Sequence, residues 1–306
     1  MGARPRIALL SADGDGHERQ LLAAFADLGA EARPVRLASV AFDTGSPLGV
    51  RVPGFDDVAP DAVLVRTMDG GSFEAVTRRL GVLHALEARG LLVSNAARAI
   101  EICVDKSATS ERLAQAGLPT PRAWCVESLD EARRIAAADG GPLVLKPLFG
   151  AQGKGLRLIH GPGDLPEPAA VNGAYYLQRF HDHGRAGRYS DFRYLVSNGA
   201  LVAAMRRESP DWITNVHQGG TPLPTPADPE LETLAIAAAR AVGADFAGVD
   251  LLRDASGRAL VIEVNSMPAW TGLRRASGID VARRRAEDLL ARLAERRALA
   301  STMAAE

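Results

Sequence analysis

The chain has 306 residues, of which 47% are hydrophobic and 24% charged, so it can bury a sizeable core in two or three compact units. Its 36 basic and 37 acidic side chains nearly cancel, which excludes the strong overall field of a nucleic-acid or membrane-surface binder. Two cysteines are too few for a disulfide framework, and neither a secretory signal nor a transmembrane stretch is recognisable. We therefore expect a cytoplasmic protein with no nucleic-acid or membrane partner, which binds anions through local charges.

Apolar runs of strand length alternate with longer helix-period segments through the first hundred residues. This order predicts a parallel sheet covered by helices, and we assign it to an N-terminal domain over residues 1–103. The stretch 41–60 is rich in Gly, Pro and Asp and is predicted to be a surface loop. The predicted strands cover 6–11, 32–37, 61–67 and 91–95, and the predicted helices cover 18–29 and 73–90.

Residues 96–117 are predicted to form one helix, which is followed by a proline-containing break. Strands at 124–128, 142–147, 156–159 and 175–180, with a helix at 129–140, then predict a small α+β domain over 104–183. The last domain, 184–306, begins with a hairpin whose turn is Asn198-Gly199. A helix at 229–243, a second hairpin turning at 254–257 and a C-terminal amphipathic helix from 281 complete a mixed α/β (α+β) chain.

The sharpest chemical feature is the second hairpin, which carries three oxygen-bearing side chains. Alternation along strand 259–265 places the apolar residues 260, 262 and 264 on one face, and Glu263 and Asn265 on the other. Asp250, on the neighbouring strand, is expected to point the same way as these two. Oxygen ligands beside nucleotide phosphates are what Mg²⁺ prefers, so we predict a metal site here. A solvent-facing sheet surface is the alternative.

A glycine-rich connection between two predicted strands is the second feature. It runs from Lys146 through Gly150 and Gly153 to Gly155, and it does not have the Gly-Lys-Ser/Thr ending of a Walker A loop. Glycines let the backbone approach a phosphate closely, and lysines supply charge to its oxygens. A simple turn is the alternative, but Lys146 and a second lysine, Lys106, favour a nucleotide.

A cluster of cations on the first hairpin is the third feature. Arg193 lies on one strand, and Arg206 and Arg207 end the other, ahead of the polar loop 214–220 that contains Asn215. Arginine suits forked binding of a carboxylate or phosphate. We favour Arg193 and Arg206 as site residues, and regard a solvated surface position as an equal alternative for Arg207.

Other features suggest less. The Asp-Gly-Asp-Gly run 13–16 has Arg19 where a dinucleotide fingerprint needs a third small residue, which disfavours a nicotinamide-dependent oxidoreductase. His181 and His183 have no partners at zinc spacing, so a polar loop is the preferred interpretation.

Taken in order, these motifs resemble the RimK-like branch of the ATP-grasp ligases. The segments that carry the resemblance are 65–76, 91–121, 146–155, 191–207, 248–252 and 261–270. It implies an ATP-grasp fold with an N-terminal pre-ATP-grasp domain, a small lid domain and a C-terminal catalytic domain. It also implies the following roles: Lys106, Lys146, Gly150, Gln152, Gly153, Gly155, Gln178, Arg179, Phe180 and Asp191 at ATP; Asp250, Glu263 and Asn265 at Mg²⁺, with Mn²⁺ as an alternative; and Arg193, Arg206 and Asn215 at an acyl phosphate.

The same resemblance implies an ADP-forming carboxylate–amine ligase, which adds glutamate or a similar amino acid to an acceptor carboxylate. The acceptor could be a pterin or deazaflavin coenzyme, a protein tail, or a carrier protein of lysine biosynthesis, and we expect a homo-oligomer, dimer or tetramer. Two residues depart from the family pattern: Arg179 follows the hinge glutamine where an acid is usual, and Ala151 replaces a common serine. A non-catalytic, nucleotide-regulated binding protein is the rival from another class.

Overall fold

A computed structural model describes residues 4–12, 14, 16–150 and 153–303. The first part of the chain forms a parallel sheet with strand order β2-β1-β5-β6, as the alternating pattern predicted. Its elements are β1 (Arg6–Leu10), α1 (Gly16–Asp27), β2 (Glu31–Val35), β3 (Ala41–Phe42), β4 (Val50–Arg51), β5 (Ala62–Val65), α2 (Phe73–Ala88), β6 (Leu92–Ser94) and α3 (Ala97–Val104).

The stretch 41–60 is not simply a surface loop. β3 and β4 pair as a short antiparallel hairpin, and Val50, Val52 and Phe55 are buried against the first sheet. The prediction was wrong for these residues because the Gly and Pro content hid an alternating apolar pattern.

The helix predicted over 96–117 is broken at Asp105. This residue is extended, with φ −94° and ψ 107°, and its carboxylate accepts hydrogen bonds from the amides of Ser107 and Ala108. It therefore caps a separate helix, α4 (Lys106–Gln115), because an aspartate that binds free amides starts a helix better than it continues one. The break places Lys106 in the first turn of α4.

The second part is an antiparallel sheet with order β7-β10-β8-β9. Helix α5 covers one face with an apolar core, while Lys146, Tyr176 and Gln178 project from the other. Its elements are β7 (Ala123–Val126), α5 (Leu129–Asp139), β8 (Leu143–Lys146), β9 (Arg157–Ile159) and β10 (Tyr175–Arg179).

The third part is a larger antiparallel sheet with order β14-β13-β12-β15-β16, to which β11 adds at β12. The two predicted hairpins are present, whereas the short β11, β14 and α7 were not anticipated. Its elements are β11 (Gly184–Arg185), β12 (Arg188–Ser197), β13 (Ala200–Ser209), β14 (Thr221–Leu223), α6 (Pro229–Ala241), β15 (Phe246–Arg253), β16 (Ala259–Asn265), α7 (Thr271–Ser277) and α8 (Val281–Met303).

The first and third parts share a core. Phe246, Trp270 and residues of α8 pack with α1 and the first sheet, and the buried Asn95 side chain bonds the main chain of Phe246 and Ser266. Domain limits near 103 and 183 therefore stay a proposal, since the N-terminal and C-terminal parts pack into one shared core. Within the described ranges, no helix is both long and apolar enough to cross a membrane.

Candidate functional site

A cleft of about 920 Å³, including its open mouth, lies between the bare face of the second sheet and the third sheet. Gly155 and Arg206 do not line it, and Gln152 lies outside the described residues. The other predicted site residues do line it: Lys106, Lys146, Gly150, Gly153, Gln178, Arg179, Phe180, Asp191, Arg193, Asn215, Asp250, Glu263 and Asn265.

The acidic end of the cleft is built by β15 and β16. Asp250 pairs with Glu263, but the next pair is Leu251 with Val261, so Ile262 is an extra residue in a β-bulge. The bulge corrects the predicted faces, because it brings Ile262 to the cleft beside Glu263 instead of to the opposite side. Asp250, Glu263 and Asn265 converge as predicted.

Two arginines hold Asp250. Arg193 donates from Nε and Nη2 to the two carboxylate oxygens at 2.6 Å each, and Arg207 Nη2 lies 3.2 Å from Oδ2. Arg207 also forks onto Asp191, with 2.7 Å from Nε to Oδ1. Burial alone would raise the pKa of Asp250, but the two guanidinium groups lower it by more, so this carboxylate stays ionised.

The structure places Arg207, not Arg206, at the site. An extra residue, Val202, bulges between the Val196–Leu201 and Leu195–Ala203 pairs, so Asp191 faces Arg207 instead of Arg206. The Arg207 side chain is 2% exposed, whereas that of Arg206 is 41% exposed and pairs with Glu208. The expectation that Arg206 lies at the site is therefore corrected: a one-residue bulge, for which the sequence has no recognisable signal, puts Arg207 there instead.

Two lysines enter the cleft from different elements. Lys106 donates from Nζ to the Gly150 carbonyl at 2.8 Å and lies 3.9 Å from a Glu263 oxygen. Burial lowers the pKa of Lys146 to about 8; the neighbouring Glu263 charge opposes the shift, and that of Lys106 adds to it. Such a buried, incompletely compensated cation is well placed to receive an anion.

The glycine-rich loop lies against the polar loop 214–220. Gly153 has a φ of 70°, and a Cβ there would be 2.6 Å from Asn215 Oδ1. Gly155 has a φ of 74°, and its Cβ would meet the Pro147 ring at 2.8 Å, so it shapes the loop without lining the cleft. A residue with a side chain at 153 would separate the two loops.

The far end of the cleft is formed by residues 178–180 at the end of β10, which we call the hinge. The amides of Arg179 and Phe180 donate to the carbonyls of Arg122 and Pro142. The Arg179 side chain turns to Asp139, to which its Nε donates at 3.1 Å. Apolar side chains line this end, which suits a flat ring: Val144, Leu252 and Ile262.

The donor set fits a hard divalent cation. Asp250 and Glu263 bring carboxylates, and Asn265 brings an amide oxygen. The Asn265 Nδ2 is buried without a hydrogen-bond partner among the described residues, but it is a donor and does not itself bind a cation. Oxygen donors beside lysines match Mg²⁺ shared with phosphates. Among the described residues, no group of three His, Cys, Asp or Glu is placed to hold a metal by itself. His181 and His183 contact Asp254 and main-chain carbonyls, as in a polar loop.

The RimK-like ATP-grasp domain matches residues 103–289 of the chain. A tetrahydromethanopterin:alpha-L-glutamate ligase of Methanococcus maripaludis is 38% identical over 197 residues, which are 62% of this chain and 66% of that protein. A probable alpha-L-glutamate ligase of Aeromonas salmonicida is 36% identical over 227 residues, 69% of this chain and 75% of that protein. The chain belongs to the RimK-like ATP-grasp family.

Solved ATP-grasp structures share the fold. The ATP-grasp ligase PsnB, complexed with a minimal precursor, has a TM-score of 0.71 at 20% identity, covering 94% of this chain and 99% of PsnB. A RimK domain protein from Sphaerobacter thermophilus has a TM-score of 0.69 at 24% identity, with 93% and 99% covered. The predicted fold class is thereby confirmed, and the domain match over residues 103–289 confirms the family resemblance.

Proposed function

We propose that the protein is an ADP-forming ligase, which activates an acceptor carboxylate with Mg-ATP and joins it to the amine of glutamate. The observation that carries this proposal is the convergence of Asp250, Glu263 and Asn265 with buried cations at one end of a cleft whose other end is an apolar hinge. Family membership supports the ligase chemistry, and the names of the glutamate-ligase relatives support the amine.

In this proposal, adenine lies at the hinge, and Lys106 and Lys146 bind phosphate oxygens beneath the glycine-rich loop. Asp250, Glu263 and Asn265 hold Mg²⁺, with Mn²⁺ as the alternative. The bound metal would neutralise charge on the phosphates during transfer. PsnB has been solved with Mg and ADP, which is consistent with this assignment.

The proposed reaction has two steps. An acceptor carboxylate oxygen attacks the γ-phosphorus, the bond to ADP breaks, and an acyl phosphate forms. The neutral amine nitrogen then attacks the acyl carbon, phosphate leaves with the C–O electron pair, and the nitrogen loses one proton to the departing phosphate or to water as the amide forms. Arg193 and Asn215 border the space for the acyl phosphate, while Arg207 fixes Asp191 and Asp250. The contact between Gly153 and Asn215 would help to exclude water from the intermediate.

For the acceptor, we propose a chemical class and not a single molecule. Relatives are named for tetrahydromethanopterin and for alpha-L-glutamate ligation, and PsnB has been solved with a precursor peptide. We therefore propose a coenzyme or a peptide tail ending in carboxylate as the acceptor. A carrier-protein ligase of lysine biosynthesis is the alternative substrate assignment. A homo-oligomeric assembly is part of the same proposal.

The test is ADP release with paired substrates. Purified protein, Mg-ATP and single amino acids are combined with pterin coenzymes, glutamate-ended peptides or a carrier protein. We expect ADP only when a suitable acceptor and an amino acid are present together. The melting temperature is also measured with ATP and with NAD. An increase with ATP but no turnover for any substrate pair would favour the binding-protein alternative, and an increase with NAD instead of ATP would favour an oxidoreductase.

A further inference from the structure

Asp250, which the proposed function assigns to Mg²⁺, is already engaged by protein groups. Its Oδ1 accepts from Arg193 Nε, and its Oδ2 accepts from Arg193 Nη2 and lies 3.2 Å from Arg207 Nη2. The Asp250 side chain is 6% exposed. A carboxylate offers about four lone-pair positions. Three are directed at guanidinium groups, so little of this carboxylate is left for a metal.

The two arginines differ in how far they can release Asp250. Arg207 is 2% exposed and forks onto Asp191, so its position is fixed by a second carboxylate. Arg193 is 15% exposed and borders the cleft, and among the ion pairs of the described residues Asp250 is its one acidic partner. Arg193 is therefore the group that can change partner without stranding another buried charge.

We propose that the Arg193 guanidinium occupies Asp250 until a metal binds there, and then exchanges Asp250 for the acceptor carboxylate. The inference rests on the proposed function. In the structure, the Arg193 fork offsets the burial of Asp250. When a divalent cation takes oxygens of Asp250, the Arg193 guanidinium is released into the cleft, where it binds the acceptor carboxylate.

This exchange couples two binding events. A cation that frees Arg193 creates the partner that an acceptor carboxylate needs, so each ligand strengthens the binding of the other by the same factor. It also favours an order, in which the metal nucleotide binds before the acceptor. A carboxylate arriving first would find Arg193 paired with Asp250.

The test measures metal affinity directly. Mn²⁺ binding is followed by electron paramagnetic resonance in the presence of ADP, so that no turnover occurs. The proteins compared are the wild type, Arg193→Gln, Arg193→Lys and Arg188→Gln. Lysine keeps the positive charge but cannot fork onto both oxygens. Arg188 lies on the same strand and pairs with Glu208 outside the cleft, which makes it a matched control.

We expect Arg193→Gln to bind Mn²⁺ at least about tenfold more tightly than the wild type, since charge-assisted hydrogen bonds to Asp250 no longer compete with the metal. Arg193→Lys should bind several-fold more tightly, and Arg188→Gln should match the wild type. Equal Mn²⁺ affinity of the wild type and Arg193→Lys would contradict the proposed exchange of partners, because any gain in Arg193→Gln would then come from its lost charge alone. If none of the four proteins binds Mn²⁺, the proposed metal site itself is wrong. Circular dichroism confirms that each variant is folded.

Discussion

The two ends of the cleft are formed by different kinds of groups. At the phosphate end, Asp191, Arg193, Arg207 and Asp250 hold one another through forked ion pairs. At the hinge end, the main chain of β10 and apolar side chains form the walls, and the Arg179 side chain points to Asp139. Side-chain identity is therefore expected to matter most at the phosphate end, and backbone position at the hinge.

The largest expected effect is on stability at the phosphate end. Arg207→Leu leaves Asp191 without its fork and Asp250 with one arginine instead of two, in a buried setting. Breaking such a pair should lower the free energy of unfolding by about 3–5 kcal/mol. Denaturant unfolding measures the change, and Arg206→Gln on the same strand should stay within about 0.5 kcal/mol. Equal effects of the two substitutions would contradict the assigned faces.

The next effect is on turnover. Glu263→Gln keeps the shape of the side chain but removes a proposed metal charge, so we expect kcat to fall by about 10²–10³, the range for one lost electrostatic contact. The melting temperature is measured as the control for folding, because the Glu263 charge also offsets the burial of Lys146. A folded variant with undiminished Mg-dependent activity would exclude Glu263 from the site.

A smaller effect, on nucleotide affinity, is expected for a substitution of Lys146. Lys146→Met keeps much of the apolar stem and removes the ammonium group. ATP binding should weaken by about 1–3 kcal/mol, the scale of a lost charge-assisted bond. Calorimetry measures this, and unchanged affinity would mean that Lys146 does not contact phosphate.

The same lysine predicts a pH dependence. Because burial lowers the pKa of Lys146 to about 8, below the roughly 10.4 of an unfolded lysine, the unfolded chain holds more protons between these values. The unfavourable burial of the charge is full below pH 8 and is relieved as the pH rises toward 10. Relative to Lys146→Met, the wild-type free energy of unfolding should therefore increase between pH 7.5 and 9.5. A flat or falling difference would refute the shifted pKa.

The smallest effect is expected at the hinge. Arg179→Gln changes a cleft residue whose guanidinium group is held by Asp139, so ATP affinity should change by less than about 0.5 kcal/mol. Fluorescence titration with a nucleotide analogue can measure this difference. A tenfold change would mean that the side chain, and not only the backbone, contacts the nucleotide.

Local patterns in the sequence were sufficient for some of these features and not for others. Turn residues and alternation predicted two hairpins and the convergence of Asp250, Glu263 and Asn265. The preference for Arg206 over Arg207 and the face of Ile262 differ from the structure, because each depends on a β-bulge that shifts pairing by one residue. The end of α3 was missed because the capping role of Asp105 was overlooked.

The central claim is glutamate ligation with ADP formation, and isotope labelling tests it most directly. The protein is incubated with Mg-ATP, ¹³C,¹⁵N-glutamate and a cell extract, and mass spectrometry follows the label and the nucleotide products. The account predicts label in a larger species, joined through the glutamate amine, with matching release of ADP and phosphate. Formation of AMP, or incorporation of another amino acid but never glutamate, would contradict it.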